Sequence, residues 1–189
     1  MVSYKLTYFD GRGAGEICRQ IFAYAGQEYE DQRLTDEQWE ESPIQPTPNA
    51  HHRRKASCSI PRHVSLPCSR VWHQRENSFR RGSTRPYLAV KLGYTEGDAD
   101  TLYKTVYLPA FKKHYGFLSK ALKSSGHGFL VGDSLTWIDL LVAQHSADLL
   151  KREGESLFDE YPEMKTHSQD VQRIPQIAKW IEKRPVSDW

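Results

Sequence analysis

YKLTYFDGRGAGEICRQIFAYAGQEYED, residues 4–31, changes period partway along. Tyr4, Leu6 and Tyr8 are separated by Lys5 and Thr7, the two-residue period of a strand. DGRGAGE is a glycine-rich turn. Ala14, Ile17, Cys18, Ile21 and Ala25 then recur at helical spacing, and Gly26 is placed to stop the helix. Tyr29 to Leu34 reads as a second strand. A β-α-β opening of this kind predicts an α/β domain with its first helix on one face of a sheet.

The far end of the chain reads differently. Leu102 to Lys123 is a long helical pattern with Leu102, Val106, Phe111, Tyr115, Leu118 and Leu122 as its apolar stripe, and Pro109 is expected to kink it. After a break at GHG, residues 126–128, FLVGDSLTWIDLLVAQHSADLL carries a strong helix start. The Thr136 hydroxyl can cap the first turn, Asp139 can bond back to the cap, and Leu135 and Leu140 stand where a hydrophobic staple closes. Two further helices are expected near Glu163–Gln172 and Pro175–Lys183. The second half is therefore predicted to be all-helical.

Between these regions the pattern collapses. Residues 44–85 sustain neither period, and prolines, histidines and arginines interrupt each short apolar run. The segment holds nine basic residues (Arg53, Arg54, Lys55, Arg62, Arg70, Arg75, Arg80, Arg81 and Arg85) against one acid, Glu76. The chain's 26 basic and 24 acidic residues give a net charge of +2, so the rest of the protein is acidic and this one segment supplies the whole positive excess. Such a break inside 189 residues requires an explanation. Read alone, it is a basic loop with no ordered sheet. Cys58, His63, Cys68 and His73 recur every five residues there, near His51 and His52. A zinc-bearing nucleic-acid module would use such residues, but this is not a usual zinc spacing. Hence no metal and no nucleic acid are expected.

The three cysteines suggest no disulfide framework. There is no apolar run of membrane-spanning length and no apolar leader at the start. The expectation is a cytoplasmic protein with no membrane partner. Cys18 falls on the predicted buried face of the first helix, where a core role is the better reading.

Three stretches together resemble the glutathione transferases, in particular the sigma-type, nematode-like group. They are residues 4–31, GFLVGDSLTWIDLLVAQH, and PQIAKWIEKRP near the carboxyl end. The resemblance covers roughly 1–42 and 86–189. It implies the glutathione-transferase fold: an α/β thioredoxin-like N-terminal domain over 1–81, aberrant from about residue 44, and an all-α C-terminal domain over 82–189. It also implies glutathione as co-substrate, small hydrophobic electrophiles as partners in a detoxification-type conjugation, and a homodimer. A thiol with an ordinary pKa near 8.5 is mostly protonated at neutral pH, and a hydroxyl donor at the sulfur favours the thiolate. In the family a tyrosine at the end of the first strand supplies that hydroxyl, and Tyr8 occupies its position. Trp39 matches a residue whose indole N–H reaches the tripeptide. Arg12 belongs to an R-G pair that orients the tyrosine.

The resemblance also implies a Q-L-P turn, a strand, a D-G turn and a Q-S pair after the second strand. None stands in the segment as protein sequence. Back-translation read from the second base of each codon recovers them, however: IQPTP can give FSQLP, NAHHRRKASC can give TLTIDGKLHA, and CSIPRHVSL can give AQSRAMCRY. The motifs appear in order and in register. The expectation is a transferase site read in the wrong frame over about 44–74, from a splice variant or a gene-model error. A non-catalytic or vestigial transferase-fold protein is the alternative that this loss leaves open.

Overall fold

The computed structural model describes residues 4–41, 57–58 and 85–187. These fall into two compact units that do not follow chain order. One holds the amino-terminal elements, Trp137–His145 and the chain from Ser168 onward; the other holds the chain from Arg85 to Thr136 and Ser146–His167.

In the first unit, β1 (Lys5–Phe9) leads through the glycine-rich turn into α1 (Gly15–Ala25) and then β2 (Glu30–Leu34). β2 runs parallel to β1, with Lys5 opposite Glu30 and Tyr8 opposite Arg33. The predicted β-α-β unit is therefore present. β1 is central in a three-stranded sheet of order β2-β1-β3. Its Thr7 is buried as deeply as its apolar neighbours, and its hydroxyl donates to Gln32 Oε1 at 3.0 Å. After β2 comes α2 (Asp36–Glu40), a short helix that sequence reading left out. Its start is nevertheless written in the chain. Thr35 accepts from the Gln38 amide, and the Gln38 side chain accepts from the Thr35 amide, a complete capping box.

The expected absence of a sheet in 44–85 needs correction at one place. Ser57–Cys58 form β3, which pairs antiparallel with β1. Prolines deny a ladder its donors, but these two residues are not proline, and two rungs need no more. The zinc and frame readings otherwise fall on residues outside those described.

α1 ends as expected, with Gly26 in the left-handed region at φ 61°. Its buried face does not follow the apolar stripe. Ile17, Cys18 and Phe22 are buried, Ala25 is exposed, and Glu16, Arg19 and Gln20 are fully enclosed. Burying charge is tolerated only when it is paired. Glu16 accepts from Trp180 Nε1 at 2.9 Å and from Arg184 Nη1 at 2.5 Å, and Gln20 donates to Gln144 Oε1 at 2.8 Å. These partners lie on α6 (Trp137–Glu153) and at the end of α8 (Pro175–Lys183), so α1 is bound to the carboxyl-terminal elements of its own unit by polar contacts.

The second unit contains α3 (Arg85–Lys91), α4 (Ala99–Leu102) and α5 (Leu108–Ser125). Ahead of Pro109, where the sequence leads one to expect a kink, the chain forms a widened π turn over Tyr103–Tyr107, closed by a bond from the Leu108 amide to the Tyr103 carbonyl. Proline has no N–H to offer the Thr105 carbonyl, and the wider turn accommodates the loss. Phe111, Tyr115 and Leu122 form the buried stripe of α5. The helix expected to start near Thr136 runs from Trp137, with Asp139 fully buried in its first turn. α7 (Pro162–Arg173) and α8 match the two expected helices within a residue or so. Among the described residues, no helix is long and apolar enough to cross a membrane.

Candidate active site

The turn between β1 and α1 is shaped around one side chain. Tyr8 lays its ring over the backbone of Gly13 and Gly15. A Cβ on Gly13 would sit 2.7 Å from the phenol oxygen, and one on Gly15 would sit 2.6 Å from Cδ1 of the ring. Neither approach is open to a side chain. Gly13 also has φ +38°, a conformation that favours glycine. Gly13 and Gly15 of the GRGAG run are thus a requirement of the tyrosine, not only of the turn.

The Tyr8 hydroxyl accepts a hydrogen bond from the Ala14 amide at 3.1 Å. That amide stands at the amino end of α1, where the helix carries partial positive charge. Accepting this bond does not use the phenol's own O–H, which is a donor. A donor so placed, at the positive end of a helix, stabilises an anion in front of it.

Trp39 is brought to the same region from α2. It is buried, with its ring 4.4 Å from that of Phe9, and the two form a cluster with Leu34 against which Tyr8 packs. Arg12 is half-buried in the turn itself, and its carbonyl accepts from the Glu16 amide at 2.8 Å. Tyr8 and Trp39 are thus linked through Phe9, and Arg12 lies four residues along from Tyr8. Tyr4 is half-buried, its ring 5.6 Å from that of Phe22, and Cys18 is buried, a core residue as expected. Tyr29 is not a competing acid. Burial first, and the Asp31 carboxylate second, push its phenol far above the ordinary value.

Sequence reading missed Arg19. It is fully buried beside the turn, with Nε 3.1 Å from both Asp31 carboxylate oxygens and Nη1 donating to the Gly11 carbonyl at 2.7 Å. The available signal was an arginine between Cys18 and Phe22 on the helix, a charge where the helix needs a buried face. Among the described residues, no group of three or more His, Cys, Asp or Glu could hold a metal ion.

The sequence profile of the family described as "Glutathione S-transferase, C-terminal domain" matches residues 84–184. The Caenorhabditis elegans protein named probable glutathione S-transferase 5 is 48% identical over 207 aligned positions, covering 99% of both chains. The chain belongs to the glutathione S-transferase family. Glutathione S-transferase 1 of Ascaris suum is 33% identical, with 98% of each chain covered. A crystal structure of a nematode-specific transferase from C. elegans superposes with a TM-score of 0.81 at 46% identity, over the whole of both chains. The transferase fold therefore stands for both the α/β and the helical parts. The C. elegans alignment of 207 positions against 189 residues here means that at least 18 positions of the alignment face no residue of this chain.

Proposed function

We propose that the chain is a glutathione transferase in which Tyr8 stabilises the thiolate of glutathione for attack on small hydrophobic electrophiles. The observation that carries this reading is the Tyr8 hydroxyl held at the start of α1, 3.1 Å from the Ala14 amide, in a chain of this family. The sulfur lone pair forms the new bond to the electrophilic carbon, and the leaving group or adjacent double bond takes the displaced electron pair. Before that step the thiol gives up its proton to solvent, and the phenol O–H donates to the sulfur anion that remains. Arg12 helps to orient Tyr8, and Trp39 offers its indole N–H to the tripeptide. Glutathione is the co-substrate and no metal takes part.

In chain order, the thioredoxin-like domain occupies 1–81 and the helical domain 82–189. The working form is a cytoplasmic homodimer that acts in detoxification. Within the first domain, residues from about 44 to 85 are a glutathione-binding segment altered by a frame shift or mis-splicing. One fact supports that reading: nine basic residues against one acid in this segment. The missing Q-L-P and Q-S motifs favour one alternative, a transferase fold that no longer conjugates.

The test is conjugation of glutathione to an aryl halide by the purified chain and by Tyr8→Phe. The expected result is a catalysed rate at high glutathione that Tyr8→Phe lowers severalfold or more. A chain with no catalysed rate at any glutathione concentration, and no heat of glutathione binding, would establish the non-catalytic alternative.

A further inference from the structure

Arg19 is a guanidinium with no exposed surface, and its contacts converge on the residues around Tyr8. Nε donates toward both oxygens of Asp31 on β2. Nη1 donates to the Gly11 carbonyl at 2.7 Å, and Nη2 lies 3.5 Å from the carbonyl of Phe9, the residue after Tyr8. The centre of the guanidinium is 5.9 Å from the centroid of the Tyr8 ring. One planar cation therefore ties the last residue of β1, the turn that follows and the neighbouring strand.

The other charges around Tyr8 are largely spoken for. On α1, Glu16 is engaged by Arg184 at 2.5 Å. On β2, Arg33 faces Tyr8 across the ladder and binds Asp31 at 2.9 Å and Asp10, from the turn, at 3.2 Å. Arg12 lies in the turn. Asp31 is thus shared between two guanidinium groups, while Asp10 also meets Arg33 and the second carboxylate oxygen of Glu16 stands 3.9 Å from Arg19 Nη1 on the same helix.

We propose that Arg19 is a positioning residue for Tyr8, fixing the turn that aims the hydroxyl and placing a permanent positive charge against its ring. The bearing on catalysis rests on the reading of Tyr8 as the group that faces the glutathione sulfur. A guanidinium stays charged at every working pH and presents its donors in a fixed fork. The charge favours negative charge on the phenol oxygen, which makes the phenol a stronger donor. The fork keeps the Gly11–Ala14 backbone where the Ala14 amide meets that oxygen. A lysine would retain the cation but has a single nitrogen, which cannot span Asp31, Gly11 and Phe9 together.

The experiment follows two nuclei through a pH titration of the ligand-free protein: the ζ-carbon of Tyr8, assigned by comparison with Tyr8→Phe, and the ε-nitrogen of Arg19. In the wild type the Arg19 signal is expected to move with the Tyr8 midpoint, and in Tyr8→Phe that movement is expected to vanish. In Arg19→Lys, which keeps the charge but loses the fork that holds the Ala14 amide against the phenol oxygen, the Tyr8 midpoint is expected to rise. A role in folding alone would lower stability and leave that midpoint in place. An Arg19 signal that stays flat through the Tyr8 titration would overturn the proposal, as would an unchanged midpoint in a folded Arg19→Lys. Should Arg19→Lys not fold, the two-nucleus titration of the wild type decides. Glutathione is then added to the wild type, and if Tyr8 does not respond, the functional reading falls while the coupling of Arg19 to Tyr8 is judged by the titration.

Discussion

Residues 4–41 and residues 44–85 are neighbours of similar length with opposite character. The first stretch reads in regular periods. It forms two strands and two helices, and Gly13, Gly15, Arg19 and the capping box that starts the Trp39 helix surround Tyr8. The second has no period and carries nine basic residues against one acid; of the residues described in it, Ser57–Cys58 pair with β1 and Arg85 opens α3. The proposed site is divided along the same line. The group that acts on the sulfur belongs to the first stretch, and the motifs expected to hold the rest of the tripeptide belong to the second. On the proposed reading, the chain keeps the chemical end of the site and loses the binding end.

The largest effect should come from repairing the second stretch. Restoring the reading frame across codons 44–85 would return two or three hydrogen bonds to the charged tripeptide, each contributing roughly 1–3 kcal/mol. Glutathione affinity measured by calorimetry should then rise about a hundredfold or more, since 1.4 kcal/mol is a factor of ten. Retention on a glutathione column should appear with it. Equal affinity in the two forms would erase the contrast between the stretches.

Within the first stretch, Gly15→Ala should act through Tyr8. The added methyl would stand 2.6 Å from the ring, so the ring must move, and overpacking of this kind costs roughly 1–3 kcal/mol. Thermal unfolding should report that cost. The catalysed rate should fall by more than the loss of folded protein explains, because the hydroxyl no longer meets the Ala14 amide. A smaller effect is expected from Thr35→Ala, which removes the cap of the helix that carries Trp39. Denaturant unfolding should show a loss of about 1 kcal/mol. Thr136→Ala should cost about the same, and it should leave glutathione affinity unchanged because it lies in neither stretch.

The smallest effect concerns acid stability away from the site. Burial opposes ionisation of Glu153, but hydrogen bonds from Lys91, Arg152 and Tyr87 outweigh it and hold its carboxyl below the ordinary value of 4.5. The folded state therefore favours the charged form. That contribution is present above pH 4.5 and is lost as pH falls through the folded value. Glu153→Gln should flatten the acid limb of the stability curve and should not shift the pH dependence of conjugation.

Much of the fold could be read from the chain because its signals are local. The two-residue spacing of Leu6 and Tyr8, the stop at Gly26, the pair Thr136 and Asp139, and Pro109 within a long apolar stripe each point to a structure that forms. Arg19, Glu16 and Gln20 were not legible as buried residues. A charge on a helix normally marks a solvated face, and only partners far along the chain, such as Gln144 and Arg184, reverse that rule. β3 was hidden because a two-rung pairing leaves no periodic trace among prolines. The motif points to Tyr8 as the proposed thiolate donor, but the reason for Gly13 and Gly15 around it appears only when the ring is seen lying on their backbone.

The most direct test is the pH dependence of kcat/KM for the electrophile, measured at saturating glutathione in the frame-restored chain and in the chain as it stands, each with and without Tyr8→Phe. The acid limb then reports ionisation of the enzyme-bound glutathione thiol, and it is expected to move to higher pH in both Tyr8→Phe forms. Frame restoration is expected to lower the glutathione concentration needed for saturation. The same midpoint with and without Tyr8, in either background, would contradict the claim that this tyrosine makes the thiolate.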